Sequence, residues 1–165
     1  MAKNTEKEFW QDIDVYSVNT EPRSAAGFPR DESWEKKTVS LNGVWKFHYC
    51  ESVNDIIEGY YAPDFDLSSF DDLEVPKIPY IKPELNSCGL YVREFEVDET
   101  EDNIFIHFGG INSSGEVFVN GKFVGYSQDT FDECEYDITD FVHPGTNRLA
   151  VTVRRYCTGS YLEDQ

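Results

Sequence analysis

Apolar and polar side chains alternate with a period of two along several short stretches, and that period belongs to strands. In Val44–Tyr49 (VWKFHY), Trp45, Phe47 and Tyr49 share one face, while Lys46 and His48 take the other. Leu41-Asn42-Gly43 supplies the turn before it. Gly89–Val97 (GLYVREFEV) sets Tyr91, Arg93, Phe95 and Val97 against Val92, Glu94 and Glu96. Asn103–Ile111 places Ile104, Ile106 and Phe108 on one face, and Leu73–Val75 predicts a strand stopped by Pro76. Glu116–Tyr126 (EVFVNGKFVGY) predicts a tight hairpin. Asn120-Gly121 stands between two apolar runs, and a type I′ turn needs positive φ at both central positions. Tyr136–Val142 (YDITDFV), a Pro-Gly turn and the closing strand Arg148–Tyr156 (RLAVTVRRY) complete the pattern.

Two regions lack any period. Residues 1–38 carry Pro22, Pro29 and scattered charges, which predicts an extended N-terminal arm with little structure of its own. Trp10, Tyr16, Phe28 and Trp34 are too many aromatics for a solvated tail, so the arm is expected to lie against this domain or a neighbour. Val53–Pro76 is mixed, with a short helix expected around Val53–Tyr60. The remainder, residues 39–165, forms one domain. Six or more short strands separated by turns predict an all-β, antiparallel β-sandwich.

Composition supports this. Aromatic residues make up 15% of the chain, an excess that favours strands over helices. A chain of 165 residues can bury about 70% of its unfolded surface without a metal or disulfide, but is too short for an ordinary barrel enzyme. The net charge of −18 repels phosphate backbones and anionic lipid, which argues against nucleic-acid and membrane partners and favours a neutral ligand such as a sugar. Cys50, Cys88, Cys134 and Cys157 form no CxxC pair, and the N-terminus has no apolar signal core. Reduced thiols and a cytoplasmic location are expected.

Candidate chemistry is sparse. His48, His107 and His143 stand far apart, without zinc-ligand spacing. Sugar hydrolysis needs two carboxyl groups facing each other across one bond. Glu163 and Asp164 are adjacent, so in an extended segment they point opposite ways. Asp71-Asp72, Glu99/Glu101/Asp102 and Asp132/Glu133/Glu135 are expected in solvated loops. No catalytic residue is assigned. Tyr60, Tyr61, Tyr80, Tyr126, Tyr156 and Tyr161 could stack on a sugar ring, although aromatics in a β domain more often fill the core.

Several stretches together resemble one family. These are SVNTEP (17–22), SLNGVWKFHY (40–49), LEVP (73–76), GLYVREFEV (89–97), the run 108–139 containing VGYSQD and YDIT, PGTNRLAVTVRRY (144–156) and GSYLEDQ (159–165). In this order they resemble the N-terminal sugar-binding domain of the β-galactosidases of glycoside hydrolase family 2, with VGYSQD and SYLEDQ marking the galactosidase branch. The resemblance implies a jelly-roll, galactose-binding-like sandwich packed on a (β/α)₈ barrel, and hydrolysis of terminal β-galactosides with retention. Both catalytic glutamates and the magnesium ligands would belong to that barrel, so no cofactor is expected in this chain. In the family SYLEDQ leads to an aspartate that reaches the galactose subsite and helps place a sodium ion. Tyr161, Glu163, Asp164 and Gln165 would form the approach to it, with the chain ending one residue short. The link KIPYIKPELNSCG is short for the family, and Asn86 is similar to the asparagine just before the next strand, not to the one that touches galactose. Expected partners are the remaining domains of a β-galactosidase and its β-galactoside substrate. The alternatives are a stand-alone carbohydrate-binding module, or a truncated product without independent function.

Overall fold

The longest alternating runs become the central strands. A computed structural model of the chain describes residues 7–22, 38–77, 86–98 and 103–160. Its strands are β1 (Ser17–Val18), β2 (Gly43–Cys50), β3 (Asp71–Val75), β4 (Cys88–Val97), β5 (Phe105–Phe108), β6 (Ser114–Val119), β7 (Lys122–Gln128), β8 (Cys134–Asp137) and β9 (Gly145–Arg154). The larger sheet has seven strands in the order β1-β7-β6-β9-β4-β2-β3, and β5 pairs with β8 in a second sheet. All pairings are antiparallel. The architecture is an all-β jelly-roll sandwich.

The inner core lies between the two sheets. Trp45, Val117, Val119, Val124, Leu149 and Val151 project from the larger sheet onto Ile106 of β5 and Tyr136 of β8. Trp45 keeps its indole N–H satisfied by donating to Leu41 O at 2.7 Å. Gly125 leaves room for the Tyr136 ring, because a Cβ there would sit 2.4 Å from Tyr136 Cε1. Burial pushes the Tyr136 phenol well above its ordinary range.

The hairpin of β6 and β7 turns in two residues, with Val119 opposite Lys122. Asn120 and Gly121 take φ of 50° and 82°, as a type I′ turn requires. Asn120 is held in that conformation from three sides. Its Nδ2 donates to Phe141 O and to Asn147 Oδ1, and its Oδ1 accepts from Arg148 N–H. Asn147 in turn accepts from His143 N–H and donates to His143 O, which ties the hairpin to the turn before β9.

Three sequence expectations change. The helix expected near Val53–Tyr60 is a single 3₁₀ turn, Val53–Asp55, with Ser52 and Asp55 forming a capping box. Gly59, at φ 75°, then reverses the chain and brings Tyr60 onto the sheet. Asp71 and Asp72 are strand residues of β3, since this edge strand pairs with β2 and Lys46 meets Asp72 at 2.7 Å. Glu135 is on β8, opposite His107. Both faces of β4 are covered at its start. Leu90 and Val92 are as buried as any inner residue, because the segment 51–70 lays Tyr60, Phe70 and Ile57 across them.

Cys50, Cys88, Cys134 and Cys157 are free thiols, the first two directly opposite each other on β2 and β4. The hydrogen bond between them lowers the Cys50 thiol, while the same bond and burial raise Cys88.

Candidate functional site

After β9 the chain passes through Thr158, Gly159 and Ser160, the exit from that strand, and three separate segments converge there. The first is the N-terminal strap, residues 7–22. Phe9 stacks against Phe123 with ring centroids 5.6 Å apart and also leans on Tyr126. Ser17 and Val18 pair with Ser127 and Tyr126, adding an edge strand to the sheet. β7 has a bulge at Val124, which lacks a partner on β6, and Asn19 Nδ2 donates to its carbonyl at 2.7 Å. Tyr16 donates its hydroxyl between the carboxylates of Asp129 and Asp132. Phe28 and Trp34 lie outside the described residues.

The second segment is the outer face of β6, β7 and β9, which holds polar side chains in a buried row. Arg154 is 4% exposed and its Nη2 meets Glu116 Oε2 at 3.2 Å. Its guanidinium carbon sits 5.9 Å from the Trp10 ring centroid, within cation–π range. Tyr60, wholly buried, shares a hydrogen bond of 2.8 Å with Thr152. Burial pushes the phenols of Tyr60 and Tyr126 well above their ordinary range, so both rings stay neutral. Gln128 closes the row. Its side-chain Oε1 accepts from Tyr126 Oη at 3.3 Å, from Thr158 Oγ1 at 3.2 Å and from Gly159 N–H at 3.4 Å. Its backbone N–H donates to Tyr16 O.

The third is the chain on either side of the exit. Thr158 N–H donates to Trp10 O at 3.0 Å. Ser160 Oγ accepts from Cys157 N–H and donates to Ser113 Oγ at 3.0 Å, while Ser113 Oγ donates to Arg155 O at 2.9 Å. Two residues earlier, Asn86 grips Tyr156 at both backbone groups, Oδ1 accepting its N–H and Nδ2 donating to its carbonyl.

Around this anchor point four apolar side chains face outward. Ile13 of the strap is 80% exposed and Phe131 in the loop after β7 is 82% exposed, with Tyr16 and Tyr156 less so. A cavity of about 50 Å³, lined by Tyr16, Thr20, Gln128, Asp132 and Cys134, admits a water or two and no sugar ring.

The sequence-predicted site residues Tyr161, Glu163, Asp164 and Gln165 lie outside the described residues, as do Tyr80, Glu99, Glu101 and Asp102. Tyr60 and Tyr126 are core, and Tyr61 stacks on Phe118 at 4.3 Å, so the tyrosines do not assemble into one sugar platform. The histidines stay apart. His48 lies against Phe70, His107 faces Glu133 and Glu135 at 3.5 and 3.6 Å, and His143 Nδ1 is 3.0 Å from Pro144 O. Among the described residues no group of three or more His, Cys, Asp or Glu side chains is placed to hold a metal ion.

The model of one protein family, "Glycosyl hydrolases family 2, sugar binding domain", matches residues 73–165, more than half of the chain. The chain belongs to this family. The family 2 domain is also similar over most of its length to proteins called β-galactosidase. That of Streptococcus thermophilus is 33% identical over 93% of this chain, and that of Clostridium acetobutylicum 37% identical over 76%. In each case the domain spans only 17% of the relative's length. Among solved structures, a Bacteroides uniformis β-glucuronidase matches with a TM-score of 0.63 and 23% identity over 71% of this chain and 14% of that one. A Bifidobacterium dentium β-glucuronidase matches at 0.60 and 22%, over 69% and 19%. At those identities the likeness carries the fold alone.

Sequence reasoning missed the convergence of Trp10, Gln128 and Arg154. Gln128 lies in the VGYSQD run, yet no spacing rule marks a lone amide as an anchor.

Proposed function

We propose that this chain is the non-catalytic N-terminal domain of a retaining β-galactosidase, working in the cytoplasm. It supports the catalytic barrel, and the segment after Ser160 helps complete the galactose subsite. The observation that carries this reading is the anchored exit at Thr158–Ser160, built from three segments and surrounded by outward-facing Ile13, Tyr16, Phe131 and Tyr156. Hydrogen bonds to Thr158, Gly159 and Ser160 fix the direction of the backbone there, as suits a segment that carries contacts to another domain's pocket. Exposed aromatic and aliphatic groups beside it suit a docking face for the rest of a longer chain. The names and lengths of the relatives agree with that larger setting.

On this reading the glutamates that cleave the glycosidic bond, and the metal ions, reside in the barrel. This domain contributes position. The test compares residues 1–165 with the chain extended through the coding sequence that follows Gln165, using a nitrophenyl β-galactoside and calorimetry with galactose. Hydrolysis is expected only from the extended chain, with galactose binding by residues 1–165 weaker than millimolar. Sub-millimolar binding by the short chain, or no hydrolysis by the extended one, overturns the proposal.

A further inference from the structure

We infer that Gln128 is a positioning residue that sets where the chain beyond Ser160 begins, acting through Thr158 and Gly159; its consequence for sugar binding rests on the function proposed above. One oxygen, Gln128 Oε1, receives three donors, and two of them, Thr158 Oγ1 and Gly159 N–H, are in the exit itself. Gln128 is 7% exposed, so water cannot replace those bonds cheaply. Gly159 is also packed against the amide, since a Cβ there would lie 3.3 Å from Gln128 Cδ. The third donor, Tyr126 Oη, holds the amide from behind, and Phe9 of the strap lies against the Tyr126 ring. Through its backbone N–H, Gln128 also fixes the strap at Tyr16 O, and the strap returns to the exit through Trp10 O, which accepts from Thr158 N–H. The result is a closed circuit of strap, β7 and exit, with Gln128 at the point where all three meet.

The acceptor oxygen is the chemical feature that matters, and conservative variants separate it from shape. Gln128→Met keeps the length and removes the acceptor; Gln128→Glu keeps an oxygen in its place. Amide hydrogen exchange on residues 1–165 reads the anchor directly. In Gln128→Met the Gly159 amide should exchange about fivefold faster, the factor expected for one lost hydrogen bond. The β4–β9 amides should be unchanged, and Gln128→Glu should restore protection at Gly159. In the galactosidase chain that carries this domain, Gln128→Met should raise KM for a nitrophenyl β-galactoside about fivefold with kcat nearly constant, the signature of lost binding in ground and transition state alike. Should Gln128→Met fail to fold, Thr158→Val removes one of the donors and is read in the same way. Unchanged Gly159 exchange in both variants overturns the inference. Faster exchange with an unchanged KM leaves the anchor standing and overturns the galactose-subsite reading instead.

Discussion

On its inner face the seven-stranded sheet meets β5 and β8; on its outer face it meets segments with no repeating pattern, residues 51–70 and the strap of residues 7–22. The inner core is mostly aliphatic, with Val117/Val119 and Leu149/Val151 at every second position of their strands. The outer cover is aromatic and irregular, with Tyr60, Phe65 and Phe70 on one half and Phe9 and Trp10 on the other. The outer face also holds the buried polar row of Glu116, Tyr126, Gln128, Thr152 and Arg154. The contrast teaches that one face of this sheet stabilises the domain by area, and the other specifies how two loose segments lie on it. Apolar packing is non-directional, whereas hydrogen bonds and ion pairs fix geometry.

The largest break in this comparison should come from the inner face. Leu149→Ala empties a fully buried site between the sheets and should cost about 3 to 4 kcal/mol by denaturant unfolding. A cost below about 1 kcal/mol would mean that the inner core does not dominate stability. Next is the outer polar row. Arg154→Met strands the Glu116 carboxylate, whose side chain is only 12% exposed, and should cost about 3 kcal/mol. Adding Glu116→Gln should recover much of that loss, because a neutral pair no longer requires a counter-charge. If the double variant is as unstable as the single one, the pair acts through packing against Trp10 alone.

Tyr60→Phe should cost less, about 1.5 kcal/mol, by leaving the buried Thr152 hydroxyl without its partner. Because the Tyr60 phenol stays neutral, the cost should not vary between neutral pH and pH 9. The smallest effect is at the edge of the second sheet. Hydrogen bonds from Thr139 Oγ1 and then from its backbone N–H hold the Asp137 carboxyl below its ordinary range. That group's contribution is fully present above the unfolded-state carboxylate pKa, and is lost as pH falls through the lowered folded value. Asp137 is exposed, so solvent screening keeps the effect small. Thr139→Ala should flatten this part of the acid-unfolding curve, while leaving stability near pH 7 reduced by only a few tenths of a kcal/mol.

Legibility followed the same division. The strands of the inner face were readable because Val117/Val119, Leu149/Val151 and Trp45/Phe47 repeat every second residue. Asn120-Gly121 announced its turn for a stereochemical reason. Val92 shares its row with Glu94 and Glu96, and nothing local shows that a loop covers the first half of that row. A short helix was expected around Val53–Tyr60, in a mixed stretch that holds Ile56, Ile57, Tyr60 and Tyr61. In the structure they gather around Phe70, Leu90 and Phe118. At the exit, Trp10 and Gln128 are more than a hundred residues apart, and both bond Thr158.

By itself the sequence determined the all-β class, the hairpin and the inner face of the sheet, together with the family resemblance carried by its motifs. Those signals are local, set by backbone stereochemistry and by a period that neighbouring residues share. The tertiary structure decided what lies on the outer face and which side chains hold the exit at Thr158–Ser160. Those contacts join segments far apart in the chain, and an amide or guanidinium shows its partner only once folding has removed water from around it.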